Sequence, residues 1–381
     1  MKVALVSPYD FAYPGGVSVH IFHMERNLTR MGHEVKIIAP CSRGPAYDNP
    51  NLISLGRPIP IPSGGSMARI TLSLRLSSPV KAILERENFD VINLHEPLTP
   101  MLPLTVLRQS REINIGTFHA CHNTPRGYGL SKHLLGRWVR KLHGRVAVSP
   151  AAMGFVSRHF PGDYRIIPNG VDLELFSPQA APREEFRDGK QNILFVGRLE
   201  KRKGLEYLLG AYGRLKRELP DIRLIIVGPG TKHLNGYEKH VRERGLEDVV
   251  FAGLVPYDEL PGYYASADIF CAPATGEESF GIVLLEAMAS GRPVIASRNE
   301  GYRQLVTHDV EGLLFPPREE EALTQALRRL LIDRDLGREM GARGRHRAQE
   351  YSWEKIARMS AEFYLEKLSG SERPVPTLTP V

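Results

Sequence analysis

The apolar run Ile269-Phe270-Cys271-Ala272-Pro273 leads into the polar loop Gly276-Glu277-Glu278-Ser279-Phe280-Gly281. Ile282-Val283-Leu284-Leu285-Glu286-Ala287-Met288 then follows, apolar on most helical faces. A short buried strand, a glycine-bounded loop and a buried helix constrain the chain to an α/β architecture with parallel strands. Doubly wound sheets bind ligands at such a loop, where a strand ends and a helix opens. The helix start presents unpaired N–H groups and the positive end of its dipole, suited to a phosphate. Glu278 lies at that mouth, and Glu286 lies eight residues on, about two turns or ~12 Å along a helix. One carboxylate can meet a sugar while the other meets a ribose. Glu286 is the more telling, because a carboxylate set among apolar residues needs a hydrogen-bond partner.

The same alternation recurs along the chain. Lys2–Val6 reads as a strand, Pro8 to Gly16 as a loop, Ser18–Met31 as a helix and Glu34–Ala39 as the next strand. The pair Gly15-Gly16 lacks the Gly-x-Gly-x-x-Gly fingerprint of dinucleotide sites. It is either a tight turn or a backbone bare enough for a diphosphate or sugar to approach. Asp90–His95 and Ile113–Phe118 are further strands, and the second delivers His119 at its carboxyl end, with Cys121, His122 and Asn123 after it. Leu130–Gly144 reads as a helix, Arg145–Ser149 as a strand and Ala151–His159 as a helix. Leu173–Lys190 holds Pro178, Pro182 and mixed charges without an apolar period, and reads as an interdomain connection. A second series follows with five strand-like runs: Asn192–Val196, Arg223–Val227, Val249–Ala252, Ile269–Ala272 and Val294–Ala296. Helices are expected at Gly204–Leu219, Glu319–Ile332, Asp335–Gln349 and Trp353–Leu368. Two tandem series imply two sheets with a cleft between them as the site.

At 381 residues, 42% hydrophobic and 24% charged, the chain is sized for two globular domains. No apolar stretch is long enough to span a membrane, and the apolar start ends too soon at Ser7-Pro8 for a signal peptide. Cys41, Cys121 and Cys271 are too widely spaced for a disulfide framework, which fits a reducing cytoplasm. A net charge of +7 and a pI near 9.2 point to anionic partners. No nucleic-acid motif is present. A sugar nucleotide, an anionic lipid surface or plain solubility remains.

Gly197-Arg198-Leu199-Glu200-Lys201-Arg202-Lys203-Gly204 follows a strand directly. Solvation accounts for Lys201 and Arg202. Arg198 and Lys203 stand where a helix dipole disfavours cations, and a bound diphosphate would supply the missing negative charge. Val227-Gly228-Pro229-Gly230 adds another strand-end turn. The Asp-x-Asp at Asp333-Arg334-Asp335 has no strand before it and reads as solvated surface rather than a metal site.

The Gly15-Gly16 loop, His119, Pro168-Asn169-Gly170-Val171-Asp172, Arg198…Lys203 and Glu278-Ser279-Phe280-Gly281…Glu286 fall in the order found in family 4 glycosyltransferases, which the chain resembles over essentially its whole length. Pro8-Tyr9-Asp10-Phe11, Pro14-Gly15-Gly16-Val17 and Gly65-Ser66-Met67-Ala68-Arg69 are most similar to the phosphatidylinositol mannosyltransferases of that family, which use GDP-mannose. The resemblance implies the α/β GT-B fold, two Rossmann-like domains facing across a cleft, with a C-terminal helix crossing back to the first. Residues 1–172 would bind acceptor together with the returning helix 353–368, residues 173–352 would bind donor, and 369–381 would be a disordered tail.

It further implies roles. Arg198 and Lys203 would bind the diphosphate, Glu278 the donor sugar and Glu286 the ribose. Ser279, Phe280, Gly281 and Ile282 would line the donor site, and Gly16 would let the donor phosphate approach. Tyr9, Arg69 and His119 would face the acceptor, His119 beside the sugar. The implied reaction retains configuration, with the departing phosphate taking the acceptor proton. Cations and helix N–H groups stabilise the charge built on that phosphate, so no metal or other cofactor is required. A UDP-sugar with a soluble sugar acceptor is the alternative within the family. A sugar-nucleotide 2-epimerase and an inactive sensor share the fold but leave the charged residues unexplained.

An inositol phospholipid acceptor would place the protein on the inner face of the cell membrane. Leu134, Leu135, Trp138, Val139 and Leu142 form an apolar stripe flanked by Lys132, Arg137, Arg140 and Lys141, as in an interfacial helix or one covering the sheet. Arg69 could meet an acceptor phosphate.

Overall fold

The computed structural model describes residues 1–13, 15–42, 49–63, 66–120, 135–230, 233–276 and 278–370, the side chains of residues 62, 63 and 66 excepted. The chain divides into two compact units: Met1–Asn169 with Trp353–Val381, and Gly170–Ser352. Gly170 and Val171 belong to the second unit, where Val171 bridges Ser352.

The first unit holds strands β1 (Lys2–Val6), β2 (Glu34–Ala39), β3 (Leu52–Ser54), β6 (Val91–His95), β7 (Ile113–Phe118), β8 (Gly144–Ala147) and β9 (Arg165–Ile166). They form one parallel sheet in the order β3-β2-β1-β6-β7-β8-β9. Alternate residues serve opposite faces. Val3 and Leu5 pack with Ile21, Met24 and Leu28 of the helix Gly16–Arg30 and with Ile356, Ala357 and Tyr364 of the helix Trp353–Ser369. Ala4 and Val6 pack on the other face with Val80, Ile83, Leu102 and Val106. The last helix thus returns to the first unit, and Asn93 Nδ2 donates to Tyr364 Oη at 2.7 Å. Ser369 closes that helix, and residues 371–381 lie outside the described residues.

A hairpin of β4 (Pro58–Ser63) and β5 (Ser66–Thr71) stands apart from the sheet. Pro58, Pro60 and Pro62 alternate along β4, so the residues between them carry its ladder N–H groups.

The second unit holds β10 (Gln191–Val196), β11 (Ile222–Val227), β12 (Val249–Gly253), β13 (Ile269–Ala272), β14 (Val294–Ser297) and β15 (Gly312–Phe315), in the parallel order β12-β11-β10-β13-β14-β15. β15 is a sixth strand at the sheet edge, beyond the five read from sequence. The stretch read as a connection, Leu173–Lys190, is instead part of this unit. Phe176 and Phe186 are buried in its core, and the Arg345 guanidinium donates to the carbonyls of Leu173 and Phe176. Single aromatic anchors replace the helical period that would have marked it.

The expected helix Leu130–Gly144 is described only over 135–139, and β8 already begins at Gly144. Of the two readings of its apolar stripe, the sheet-covering one holds. Leu135, Val139 and Leu142 are buried in the first unit's core, so this face covers the sheet and is not an interfacial one. Lys132 and Leu134 lie outside the described residues.

Candidate functional sites

In each unit the strand order reverses beside a central strand, between β10 and β13 in the second unit and between β1 and β6 in the first. Ligands in doubly wound sheets collect at the carboxyl ends of the strands flanking such a point. Most of the predicted residues lie at or just after strand ends, but Arg69 lies on β5 of the separate hairpin and Glu286 within the helix Ile282–Ala289.

In the second unit β10 runs into Gly197-Arg198, and Gly197 N–H donates to the Val227 carbonyl at the end of β11. Lys201–Lys203 makes one tight 3-10 turn, and the helix Leu205–Glu218 starts after Gly204. Gly204 has φ +71°, and a Cβ there would lie 2.0 Å from the Pro273 carbonyl oxygen. Only glycine lets this turn press against the loop after β13. Thr275 N–H donates to the Arg202 carbonyl at 2.8 Å and ties the two loops together.

That contact brings the charges into one cluster. Glu278 Oε1 accepts from Arg202 Nη1 at 2.7 Å and from Lys203 Nζ at 2.8 Å. Glu200, itself buried, takes Arg202 Nε at 2.9 Å and Arg198 Nε at 3.5 Å. Burial pulls the Lys203 ammonium below the usual lysine value, opposed by Glu278. Sequence reasoning missed Arg202, assigning it to solvent. It is the cation that binds Glu200 and Glu278 together, and its place in the same strand-end run was the available signal.

Glu278 lies in the loop, not on the helix, which starts at Ile282. The two-turn spacing to Glu286 therefore does not hold, although both residues flank the same switch point. Glu277 lies outside the described residues. Ser279 gives its carbonyl to Gln304 Nε2, Phe280 is buried, and Gly281 caps the helix at φ +107° with the Tyr302 ring 2.8 Å from where a Cβ would stand. Glu286 is buried and accepts from Tyr264 Oη at 2.7 Å. Burial raises its carboxyl to about 7, and the tyrosine hydrogen bond partly offsets this.

In the first unit the loop after β1 is tied to the hairpin. Tyr9 bridges Ile70, Asp10 N–H donates to the Arg69 carbonyl at 2.8 Å, and the Arg69 guanidinium lies 4.4 Å from the centre of the Tyr13 ring. Pro14 lies outside the described residues, Gly15 caps the first helix and Gly16 opens it. His20, one turn on, meets His119 edge-on with ring centres 4.9 Å apart. His95 at the end of β6 places Nδ1 2.8 Å from His119 Nε2. Burial drives all three imidazoles well below their usual range, His20 to about 4, so they are neutral. His20, His95 and Asn169, which hydrogen-bonds His20 Nδ1 at 2.8 Å, were not singled out as site residues in the sequence. His95 lay in plain view as a strand-end residue.

Each of these three histidines offers a ring nitrogen within 4.8 Å of the others, making them the one group among the described residues with the spacing of metal ligands. Their Nδ1···Nε2 pair already shares a proton at hydrogen-bond distance. Asp333-Arg334-Asp335 is solvated surface: Asp333 caps the helix Arg334–Ala348 and Asp335 pairs with Arg338. Cys271 is buried and free, and Cys121, His122 and Asn123 lie outside the described residues.

The second unit matches the family model of glycosyl transferases group 1 over residues 177–347, and residues 14–175 match that of glycosyltransferase family 4. The phosphatidyl-myo-inositol mannosyltransferase of Mycobacterium leprae is 35% identical over 371 residues, 96% of both chains. The Mycolicibacterium smegmatis protein of the same name is 33% identical, covering 97% of this chain and 95% of that one. Among solved structures, the sucrose-phosphate synthase of Thermosynechococcus elongatus superposes with a TM-score of 0.80 at 25% identity, over 97% of this chain and 100% of that one. Anabaena HepE, solved with UDP and glucose, shares the fold at a TM-score of 0.75 and 22% identity, over 95% of this chain and 99% of that one. With two parallel-sheet Rossmann-like units and full-length relatives at this identity, the chain belongs to the family 4 glycosyltransferases of the GT-B fold.

Proposed function

We propose that the protein is a retaining mannosyltransferase that moves mannose from GDP-mannose to an inositol phospholipid. The observation that carries this reading is the 33–35% identity, over nearly all of both chains, to proteins named phosphatidyl-myo-inositol mannosyltransferases. In this reading Arg198 and Lys203 take the donor diphosphate, Glu278 the sugar and Glu286 the ribose, with Gly16 and Ser279–Ile282 lining the donor. Arg202 holds Glu278 and Glu200 in place. Tyr9, Arg69 and His119 serve the acceptor side. Departure of GDP builds charge on the leaving phosphate, which fixed cations stabilise more as the bond breaks. That phosphate then accepts the proton of the attacking hydroxyl. Mass-spectrometric screening of GDP- and UDP-sugars against phosphatidylinositol and soluble sugars tests it. GDP-mannose with phosphatidylinositol is the expected productive pair, and a soluble product from a UDP-sugar overturns it. The likeness to a sucrose-phosphate synthase favours that second reading.

The transfer is proposed to need no metal, because the cations of the Arg198–Lys203 run serve the leaving group. Turnover should be unchanged in excess EDTA. Loss of activity that manganese or magnesium restores would show that an ion, not these side chains, carries the charge.

No helix among the described residues is long and apolar enough to cross a membrane. Peripheral contact with the cytoplasmic leaflet is supported by the hairpin and the segment after it, since the 135–142 stripe is buried. Leu74 is 84% exposed, Met67 and Leu72 are also exposed, and Arg57, Arg69 and Arg75 lie among them in the chain. Anionic lipid attracts such cations by about 1 kcal/mol each. In flotation assays, vesicles containing phosphatidylinositol should carry the protein at low salt and release it at high salt. Leu74→Ser with Arg75→Glu should weaken the binding, and no flotation at low salt would count against a membrane acceptor.

A further inference from the structure

Two residues at the end of β6 converge on His119. Glu96 follows β6 directly, is buried, and adopts φ +50°, a left-handed conformation that a non-glycine residue keeps only where its surroundings demand it. Its Oε1 accepts from the backbone N–H groups of both His119 and Ala120 at 2.7 Å, while its own N–H donates to the Thr117 carbonyl at 2.8 Å. The clamp fixes where β7 ends and the direction in which the chain leaves it. His95, the residue before, places Nδ1 2.8 Å from His119 Nε2.

The proton between those two nitrogens can be assigned. His20 Nδ1 faces Asn169 Oδ1, which only accepts, so His20 carries its proton on Nδ1. His95 Nε2 is buried with no hydrogen-bond partner among the described residues. A buried N–H without an acceptor costs more than a bare lone pair there, so His95 holds its proton on Nδ1 and gives it to His119 Nε2.

We propose that Glu96 and His95 are positioning residues that hold His119 as the Nδ1–H tautomer, a fixed hydrogen-bond donor rather than a proton-transfer group. His20 supports the ring from its edge, backed in turn by Trp353, whose ring centre lies 5.3 Å from that of His20. The functional value of this arrangement rests on the placement of His119 beside the transferred sugar, proposed above.

Nitrogen NMR of the full-length protein with labelled histidine tests the geometry without any assay. His119 should show a protonated Nδ1 and a bare Nε2, and a proton on Nε2 overturns the proposal. Kinetics test the consequence, read as GDP release from GDP-mannose with phosphatidylinositol vesicles. Glu96→Ala and His95→Phe should lower kcat roughly tenfold or more with donor KM changed by less than about twofold, the pattern of a lost transition-state alignment. Glu96→Gln keeps an acceptor for both N–H groups, and His95→Asn keeps a donor to Nε2. Both should recover activity to within about threefold of the parent. Undiminished kcat in the folded Glu96→Ala and His95→Phe variants also overturns the proposal. If those two fail to fold, the tautomer of the parent protein and the two conservative variants still decide it. Full activity of His119→Ala would instead refute the placement of His119 at the sugar, while leaving the tautomer result standing.

Discussion

Lys203→Ala is expected to lower the turnover number about 100-fold or more at saturating donor, as the loss of one charge-assisted contact worth ~3 kcal/mol in the transition state implies. The reason lies in the wiring. Lys203 sits in a tight turn that Gly204 presses against the loop after β13, and its ammonium shares Glu278 Oε1 with Arg202. In the proposed site, removing it takes a cation from the leaving phosphate as well as half the anchorage from Glu278, so kcat should fall further than donor KM rises. Arg198→Ala should act in the same direction. Arg198 is more exposed and holds Glu200 only at 3.5 Å, so its loss leaves the Glu278 cluster standing and isolates the phosphate contribution. Near-normal turnover in either variant would show that the diphosphate binds elsewhere. Arg202→Lys offers a contrast. A point charge can replace one ion pair but not the fork that spans Glu200 and Glu278, so it should raise the donor-sugar KM more than it lowers kcat.

The sequence disclosed the frame of these sites better than their wiring. Lys2–Val6, Glu34–Ala39, Ile113–Phe118 and Ile269–Ala272 are strands over the residues expected, because both faces are buried and the apolar runs are unbroken. Position in such a strand then placed Arg198, His119 and Glu278 at carboxyl ends without further information. The hairpin was illegible as strand, since three alternating prolines normally exclude a ladder. The Leu173–Lys190 segment was illegible as core, since Phe176 and Phe186 bury single rings with no period between them. Contacts between loops were hidden for another reason. Arg202 with Glu278, and Glu96 with His119, join residues 76 and 23 positions apart, and nothing local in either partner specifies the other. The apolar stripe at 135–142 shows the converse: an amphipathic pattern reports that one face is buried, and says nothing of whether sheet or membrane buries it.

Glu286→Gln should abolish a pH dependence of stability while damaging donor binding. Glu286 is buried beside Tyr264, and Tyr257 also lies within its electrostatic reach. Burial raises its carboxyl from 4.5 to about 7. Because the folded-state value is raised, the native protein binds the proton more tightly than the unfolded chain. Stability is therefore greatest with Glu286 protonated, declines as pH rises from 4.5 to about 7, and is flat above that. A shift of this size corresponds to roughly 3 kcal/mol lost by pH 8. Glutamine cannot ionise and still accepts from Tyr264, so its unfolding midpoint should hold steady where the parent's falls. The stability difference between the two proteins should change by that amount between pH 4.5 and pH 8, whatever constant offset the extra amide N–H groups introduce. A carboxylate kept at that cost has a use only when something donates to it, and a ribose diol supplies two hydroxyl donors. Donor KM should accordingly rise about tenfold or more in Glu286→Gln, as expected when a hydrogen bond to a charged group is replaced by one to a neutral amide. Parallel stability–pH curves for the two proteins would show that Glu286 titrates normally. An unchanged donor KM would remove it from the ribose site.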